Sequence, residues 1–543
     1  MQARRARFHH VLTAAVCGLL FISGCTSGAH PDKRSPSVLL VCNGSTARCP
    51  AGPHFRTVQE AVSAARPGQW VLIWPGVYHE NDPAHHAGVW ITTARLHIRG
   101  LSRDGVIIDG SRAPADDPCP SSPALQDYTP RDGIVVWRAS GVSIQNLTVC
   151  NYLAGRGAQH GTQIWWANGD DSRTLTSSSD SPADTAGLGA FTGSYLTATS
   201  MYHPADIHSQ HLAEFGIFAR GAHGPGVIAD SYAANMANAA FYVGACGRSC
   251  NTVLTRDHGT GSAIGYLGTN SGGRLTVESS VFDRNRTGVV LLSLNTDDLP
   301  PPQDGRCPAA AVASCTLLER NQVLNNDNAN APLLGISPAV GTGIEISGGS
   351  FDTVTGNIIS GNGSWGVLVN DNIDHLSVQQ NSHCQGGTPN APAAGSCLFA
   401  ATGNRIFANT FQRNGGFRNP TNSDLAVLSL AAVPPAPRNC FFGNHSVNGP
   451  LTSSPASIQE RATDGQPCNL PGTPYDVKLL HQLNCAATGH CDIAHPRYPG
   501  QATIAYTPVP QLQGMPDPCV SVPSNRYCLL FSRHSVLPEG PDR

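Results

Sequence analysis

The chain has 543 residues, 57 of them glycine and 41 proline, with 40% hydrophobic and only 13% charged positions. A charged share roughly half the usual ~25% leaves a surface covered by Asn, Ser, Thr and Gly, while the apolar share excludes wholesale disorder. The formal net charge of −3 lacks the basic balance of a nucleic-acid binder, so no nucleic-acid partner is expected.

Residues 1–24 read as a lipoprotein signal peptide. Arg4, Arg5 and Arg7 form a basic start, and Val11 to Ile22 is an apolar run too short to span a bilayer. Ile22-Ser-Gly-Cys25 follows directly and resembles the bacterial lipoprotein signal. That resemblance implies lipid on Cys25, an extracytoplasmic location at the bacterial cell surface, and a membrane partner through the anchor. With Cys17 removed and Cys25 lipidated, sixteen of the eighteen cysteines remain, an even number in an exported chain. Near neighbours predict short staples: Cys42 with Cys49, Cys246 with Cys250, Cys307 with Cys315, Cys384 with Cys397, Cys485 with Cys491, and Cys519 with Cys528. Cys119 with Cys150 and Cys440 with Cys468 are the longer-range candidates.

Residues 25–50 read as a polar tether. Thr57-Val-Gln-Glu60 is a capping-box pattern, with Val58, Ala61, Val62 and Ala65 on one helical face, and Pro67-Gly68 ends that helix. Trp70 to Trp74 and Val77-Tyr78 read as strands. A small amphipathic helix before short strands is how a solenoid covers its first coil. A repeat follows. Strand starts at Gly216, Ala240, Gly265 and Gly288 lie 24, 25 and 23 residues apart, and Gly343 and Gly366 are again 23 apart. Second strands follow near Val227, Val253, Leu275, Thr316, Val354 and Leu376, and turn asparagines recur at Asn235, Asn285, Asn325-Asn326, Asn362 and Asn409. A 22–25-residue period of short strands predicts an all-β, single-stranded parallel β-solenoid, with asparagine at corners because it tolerates left-handed backbone.

The segments Phe55 to Tyr78, Leu96 to Gly110 and Val142 to Val149 resemble the opening coils of right-handed parallel β-helix proteins of the pectin-lyase-like superfamily. More closely, the chain resembles uncharacterised actinobacterial β-helix lipoproteins, sharing their scarcity of lysine: only Lys33 and Lys478 occur. The resemblance implies a β-helix over 51–445, with insertions at 154–190, 295–314 and 384–397, and an irregular disulfide-containing C-terminal cap over 446–543. It also implies a fold that hosts polysaccharide lyases, hydrolases and epimerases as well as non-catalytic binding proteins, so activity must be argued from a site. The adjacent aspartates just before a strand start, the Gly-His-Gly and the Arg-Ile-Lys of the polygalacturonase branch are absent. Lyase-like members abstract a proton with Arg or Lys and neutralise the uronate with calcium, which makes calcium a candidate cofactor here.

By coil register, Asp230, Glu278 and Glu319 form a candidate substrate or cation row, with solvated pairing to Arg256, Arg284 or Arg320 as the plainer account. Asp257, His258, Asp283 and Arg286 form the candidate catalytic set of acid, base and anion clamp. His203, Asp206, His208 and His211 only loosely suggest a metal site. Asn295, Asp297, Asp298, Gln303 and Asp304 form an acidic insertion able to wall a groove. Trp165, Trp166 and Tyr152 offer faces for sugar stacking or for burial. The expected role is interaction with a polysaccharide or cell-envelope polymer along an elongated face, without cleavage. The alternatives are a lyase, hydrolase or epimerase acting on a polyuronide-like substrate, and an adhesin-like scaffold or metal-handling accessory factor.

Overall fold

The capping box forms as the pattern predicts. Thr57 accepts from the Glu60 amide at 3.1 Å, Glu60 reaches back to the Thr57 amide, and helix α1 (Val58–Ala64) buries Val58, Ala61 and Val62. The structure, a computed structural model, describes residues 38–157, 159–168, 188–204, 206–246, 249–294, 314–375, 384, 387–389, 395–430, 438–447, 449–456, 458 and 476–534, all within one compact unit. The signal segment, Cys25 and the acidic insertion residues 295–304 lie outside these.

Each coil is a short strand, a left-handed corner, a second short strand, another corner and a longer strand. The longer strands include Phe215–Arg220, Ala239–Gly244, Ile264–Thr269, Thr287–Leu292, Thr342–Ser347 and Trp365–Asn370, which contain the predicted starts. They belong to an 11-stranded parallel sheet, whereas the shorter strands merge into one of 21 strands. The merging follows from Val142–Cys150 and Phe191–Thr199, each of which runs through both short-strand positions. This is a right-handed parallel β-helix. Successive strands stack about 4.8 Å apart, so identical register positions form ladders. One inward ladder is Ile164, Ile217, Phe241, Tyr266, Val289, Ile344, Val367 and Leu425, all fully buried. Burying each such side chain stabilises the coil by about 1.5–3 kcal/mol. The repeated glycine is explained beside it: a Cβ on Gly288 would stand 2.5 Å from the Gly343 carbonyl and 2.7 Å from the Asn326 amide of the next coil.

The structure corrects five expectations. Thr162–Ala167, inside the supposed 154–190 insertion, is a strand of the longer-strand sheet, paired in parallel with Asp132–Trp137 and Phe215–Arg220. The ladder begins inside the supposed tether, because Val38–Val41 pairs in parallel with Trp70–Ile73. It ends beyond 445, at Ser453–Ser454. After Trp365–Asn370 an antiparallel sheet of Asn372–His375, Thr388–Pro389 and Ser396–Phe399 intervenes, starting ahead of the insertion expected from 384, and the coil resumes at Arg405–Phe407; Leu376 lies outside the described residues.

The last correction is that residues 476–534 return along the coil instead of stacking on its end as a cap. Helix α2 (Val477–Thr488) lies on the flank of the coil, with Leu479 and Ala486 packed into a cluster containing Val340, Trp365 and Leu368. The chain then returns along the coil as an extended strap. Backbone amides of Arg497, Thr507 and Met515 donate to Asn419 (3.0 Å), Asn235 (2.7 Å) and Asn146 (2.8 Å) in turn. Helix α3 (Arg526–His534) ends the strap on the first coil, where Tyr527 joins Leu40, Trp70 and Trp74 and its hydroxyl donates to the Pro53 carbonyl at 3.2 Å.

The disulfides Cys42–Cys49, Cys119–Cys150, Cys246–Cys250, Cys384–Cys397, Cys485–Cys491 and Cys519–Cys528 are present. Cys315 and Cys440 are also disulfide-bonded, and their expected partners Cys307 and Cys468 lie outside the described residues.

Candidate functional site

The first corner of each coil sets the candidate residues. Its left-handed seat is taken by Asp230, Arg256, Ser279 and Arg320 in successive coils. The next residue turns inward and joins a hydrogen-bonded ladder. Ser231 N donates to Asp257 Oδ1 (2.9 Å), Asp257 N to Ser280 Oγ (3.0 Å), Ser280 N to Asn321 Oδ1 (3.0 Å) and Asn321 N to Asn357 Oδ1 (2.9 Å), with Asn409 and Asn444 beyond. A parallel ladder at the second corner runs through Ser262, Asn285, Asn326, Asn362 and Asn414. Most corner asparagines therefore serve as ladder rungs, and the left-handed seat beside them often holds arginine.

Asp257 occupies an asparagine rung. It is 1% exposed, burial pushes its carboxyl well above the ordinary range, and Oδ2 has no hydrogen-bond partner. The structure thus gives it a scaffold position instead of an open face. Arg286 is also turned away from the other three candidates. It is buried, with Nε on the Pro338 carbonyl at 2.8 Å and Nη2 on the Ala486 and Ala487 carbonyls at the end of α2, and desolvation pushes it down to about 10.

His258 and Asp283 do come together on the outer face of the second strands. His258 Nε2 lies 2.9 Å from Asp283 Oδ1, and Arg284 Nε lies 3.3 Å from Asp283 Oδ2. Burial acts to raise the Asp283 carboxyl, but the His258 hydrogen bond and the nearby Arg284 outweigh it and hold the group below its usual value. Tyr232 precedes His258 in the same register column and meets it edge-on at 5.3 Å, with its hydroxyl buried and unpartnered. Tyr232 was missed as a site residue, although its spacing of one coil from His258 was available from the repeat.

The acidic row is displaced from its expected register. Thr255, Glu278 and Glu319 share one column, but the partner of Thr255 is Ala229, because the strand ends there and Asp230 is the corner residue. Arg256 clamps Asp230 through Nε and Nη2, both at 2.7 Å, while Arg320 bridges Glu278 and Glu319. With guanidinium groups on these oxygens, the row as arranged does not fit a calcium ion.

The remaining candidates also take definite places. Trp166 and Tyr152 are fully buried, and Trp165 packs edge-on against Trp137 and Phe218. His203 rests against Tyr506, His211 against Tyr128, and Asp206 accepts from the His208 amide. Among the described residues, the one cluster with metal-ligand spacing is Asp109 with Cys119 and Cys150, and those cysteines are disulfide-bonded. No described helix is long and apolar enough to cross a membrane.

No protein-family model matches the sequence, and a comparison with curated proteins gives no match. Solved structures do show likeness in fold. The chain is similar to the A-module of Azotobacter vinelandii mannuronan C-5 epimerase AlgE6, at 11% identity over 72% of this chain and 93% of that one, with a TM-score of 0.38. It is similar to the tailspike protein of E. coli bacteriophage HK620, at 10% identity, 75% and 62% coverage and a TM-score of 0.43. For pectate lyase Pel9A the figures are 12%, 77%, 83% and 0.36.

Proposed function

We propose that this is an exported β-helix protein, anchored through lipid on Cys25, that binds a linear polysaccharide or other cell-envelope polymer along its outer face without cutting it. One observation carries the reading. The corner and second-strand positions of neighbouring coils present hydrogen-bonding and charged groups (Arg256, His258, Asp283, Arg284 and Arg320), whereas Asp257, Arg286 and Tyr232 are buried in the scaffold. A row repeating about every 4.8 Å matches a ligand that is itself repetitive. The six described disulfides agree with an oxidising, extracytoplasmic compartment, and the low-lysine kinship with actinobacterial β-helix lipoproteins belongs to the same reading. The test is a panel of soluble polysaccharides assayed for both binding and products. Binding without new reducing ends or unsaturated products supports it; failure to bind any polymer refutes it. Mass spectrometry of the N-terminal peptide should show acylated Cys25, and a free N-terminus elsewhere would remove the anchor.

One observation favours a second reading. The His258–Asp283 hydrogen bond, with Arg284 on the other carboxylate oxygen, is an arrangement able to move a proton. Under that reading the protein is a lyase, hydrolase or epimerase, and product formation must be lost in both Asp283→Asn and His258→Ala.

A further inference from the structure

The strap covers two guanidinium groups that have no ion pair. Arg99 is 4% exposed, with Nη1 donating to the carbonyls of Pro518 (3.2 Å) and Val520 (2.6 Å) in the strap and its other nitrogens to Gln145. Arg103 is 5% exposed and donates to the strap carbonyl of Gln513 at 2.9 Å, to Thr197 Oγ1, and to the carbonyls of Leu196 and Asp230. Desolvation pushes both groups down to about 10, opposed at Arg99 by Asp517 of the strap and at Arg103 by Asp104, Asp257 and Asp230 at longer range. Carbonyl dipoles compensate a buried cation less well than a carboxylate or phosphate, which takes the guanidinium fork in charge-assisted bonds.

Two further features make the strap replaceable. It is an extended segment with prolines at 499, 508, 510, 516 and 518, and no helix or strand interrupts residues 497–516. It also leaves the groove partly filled: a cleft of about 440 Å³ remains between Arg103, Asp104 and Asn146 on one wall and residues 514–519 on the other. Arg103 also donates to the carbonyl of Asp230, a corner residue of the row described above.

We propose that strap residues 497–520 stand in for a linear polyanion, a polymer bearing carboxylates or phosphates, and that the groove beneath them, floored by Arg99 and Arg103, is its binding site. The inference rests on the polymer-binding reading and adds the charge class, the site and a built-in cover that must lift. The test is amide hydrogen exchange on the full mature chain with polygalacturonate, poly(glycerol phosphate) or neutral dextran. Either polyanion is expected to speed exchange at Thr507 and Met515 at least tenfold and leave strand Thr287–Leu292 unchanged, with the more effective polymer identifying carboxylate or phosphate as the natural group. The variant Thr507→Pro/Met515→Pro, which removes two strap donors and leaves the coil untouched, should bind polyanion at least tenfold tighter, and Arg103→Gln in that background should abolish the gain. Polyanion binding with the strap amides unchanged or protected overturns the inference and leaves the polymer reading standing. Equal tightening for dextran overturns the charge class, and failure of intact and loosened chains to bind any polymer overturns both readings.

Discussion

Replacing Asp257 by asparagine should stabilise this protein, the opposite of what a catalytic aspartate on an open face would predict for an otherwise useful residue. Equivalent rungs show why. Asn321 Nδ2 donates to the Val277 carbonyl of the preceding coil at 2.8 Å, and Asn357 Nδ2 donates to Leu318 at 3.0 Å. The coil register puts the Ile228 carbonyl at the matching place for residue 257, where a carboxylate has no donor. An unsatisfied buried polar atom costs about 1–3 kcal/mol, which sets the least gain expected for Asp257→Asn near neutral pH. The carboxyl is raised by burial, so the native state holds a proton that the unfolded chain releases. Its contribution is fully present below the unfolded carboxyl pKa of about 4 and is lost as pH rises through the folded value. The advantage of the asparagine variant should therefore be small near pH 4 and grow by up to about 1.4 kcal/mol per pH unit above it. In a cooperative unit of this size, each 1 kcal/mol moves the melting temperature by roughly 1 °C, so denaturant titrations at pH 4.5, 6, 7.5 and 9 are the sharper assay. An asparagine variant that is less stable than wild type at pH 7.5, or whose difference does not depend on pH, would falsify the ladder argument. Loss of product formation at unchanged stability would instead return Asp257 to the catalytic set.

Asp352 sits in a third ladder, between the Thr316 amide and Asn404, and burial pushes it up to about 8. Wild-type stability should fall as pH rises from about 4 to about 8, and Asp352→Asn should flatten that slope in the same titrations. Arg320→Ala should cost no more than about 1 kcal/mol, since the guanidinium is largely exposed, but it frees Glu278 and Glu319 at strand spacing. Calcium should then raise the melting temperature of the variant and leave wild type unmoved. Asp283→Asn removes the negative charge and one of the two acceptor oxygens that hold His258 and Arg284, and should weaken polymer binding about 5–20-fold, measured by calorimetry, through loss of roughly 1–2 kcal/mol of charge-assisted bonding. Unchanged affinity would move the binding face away from the second strands.

The fold was legible because its signal is periodic. Spacings of 23 to 25 residues located the longer strands, and the capping box located α1. The corner asparagines were found for only part of the reason. Left-handed tolerance is a local property visible in one residue, whereas a rung such as Asn326 is defined by a partner 36 residues away. The site was less legible for the same reason. One residue of register separated Asp230 from the Glu278 column, because the boundary between strand and corner is not marked in the sequence. Arg286 looked like a free cation beside Asp283, and the α2 carbonyls that hold it come from 200 residues downstream. The strap carries no period, so nothing in residues 497–520 announced that their partners were Asn235, Asn146 and Arg99.

That return path changes how the molecule comes apart. An ordinary solenoid is a one-dimensional array whose terminal repeats fray first, each held by a single neighbour. Here the last helix is seated on the first coil, and the strap crosses the coils between them. Neither pole can peel away alone, since loosening the first coil also exposes Tyr527 and Phe531, and the array behaves mechanically as a closed loop. A protease acting on partly opened chains should accordingly find few intermediates until the strap is released, after which coils should be lost sequentially from the ends.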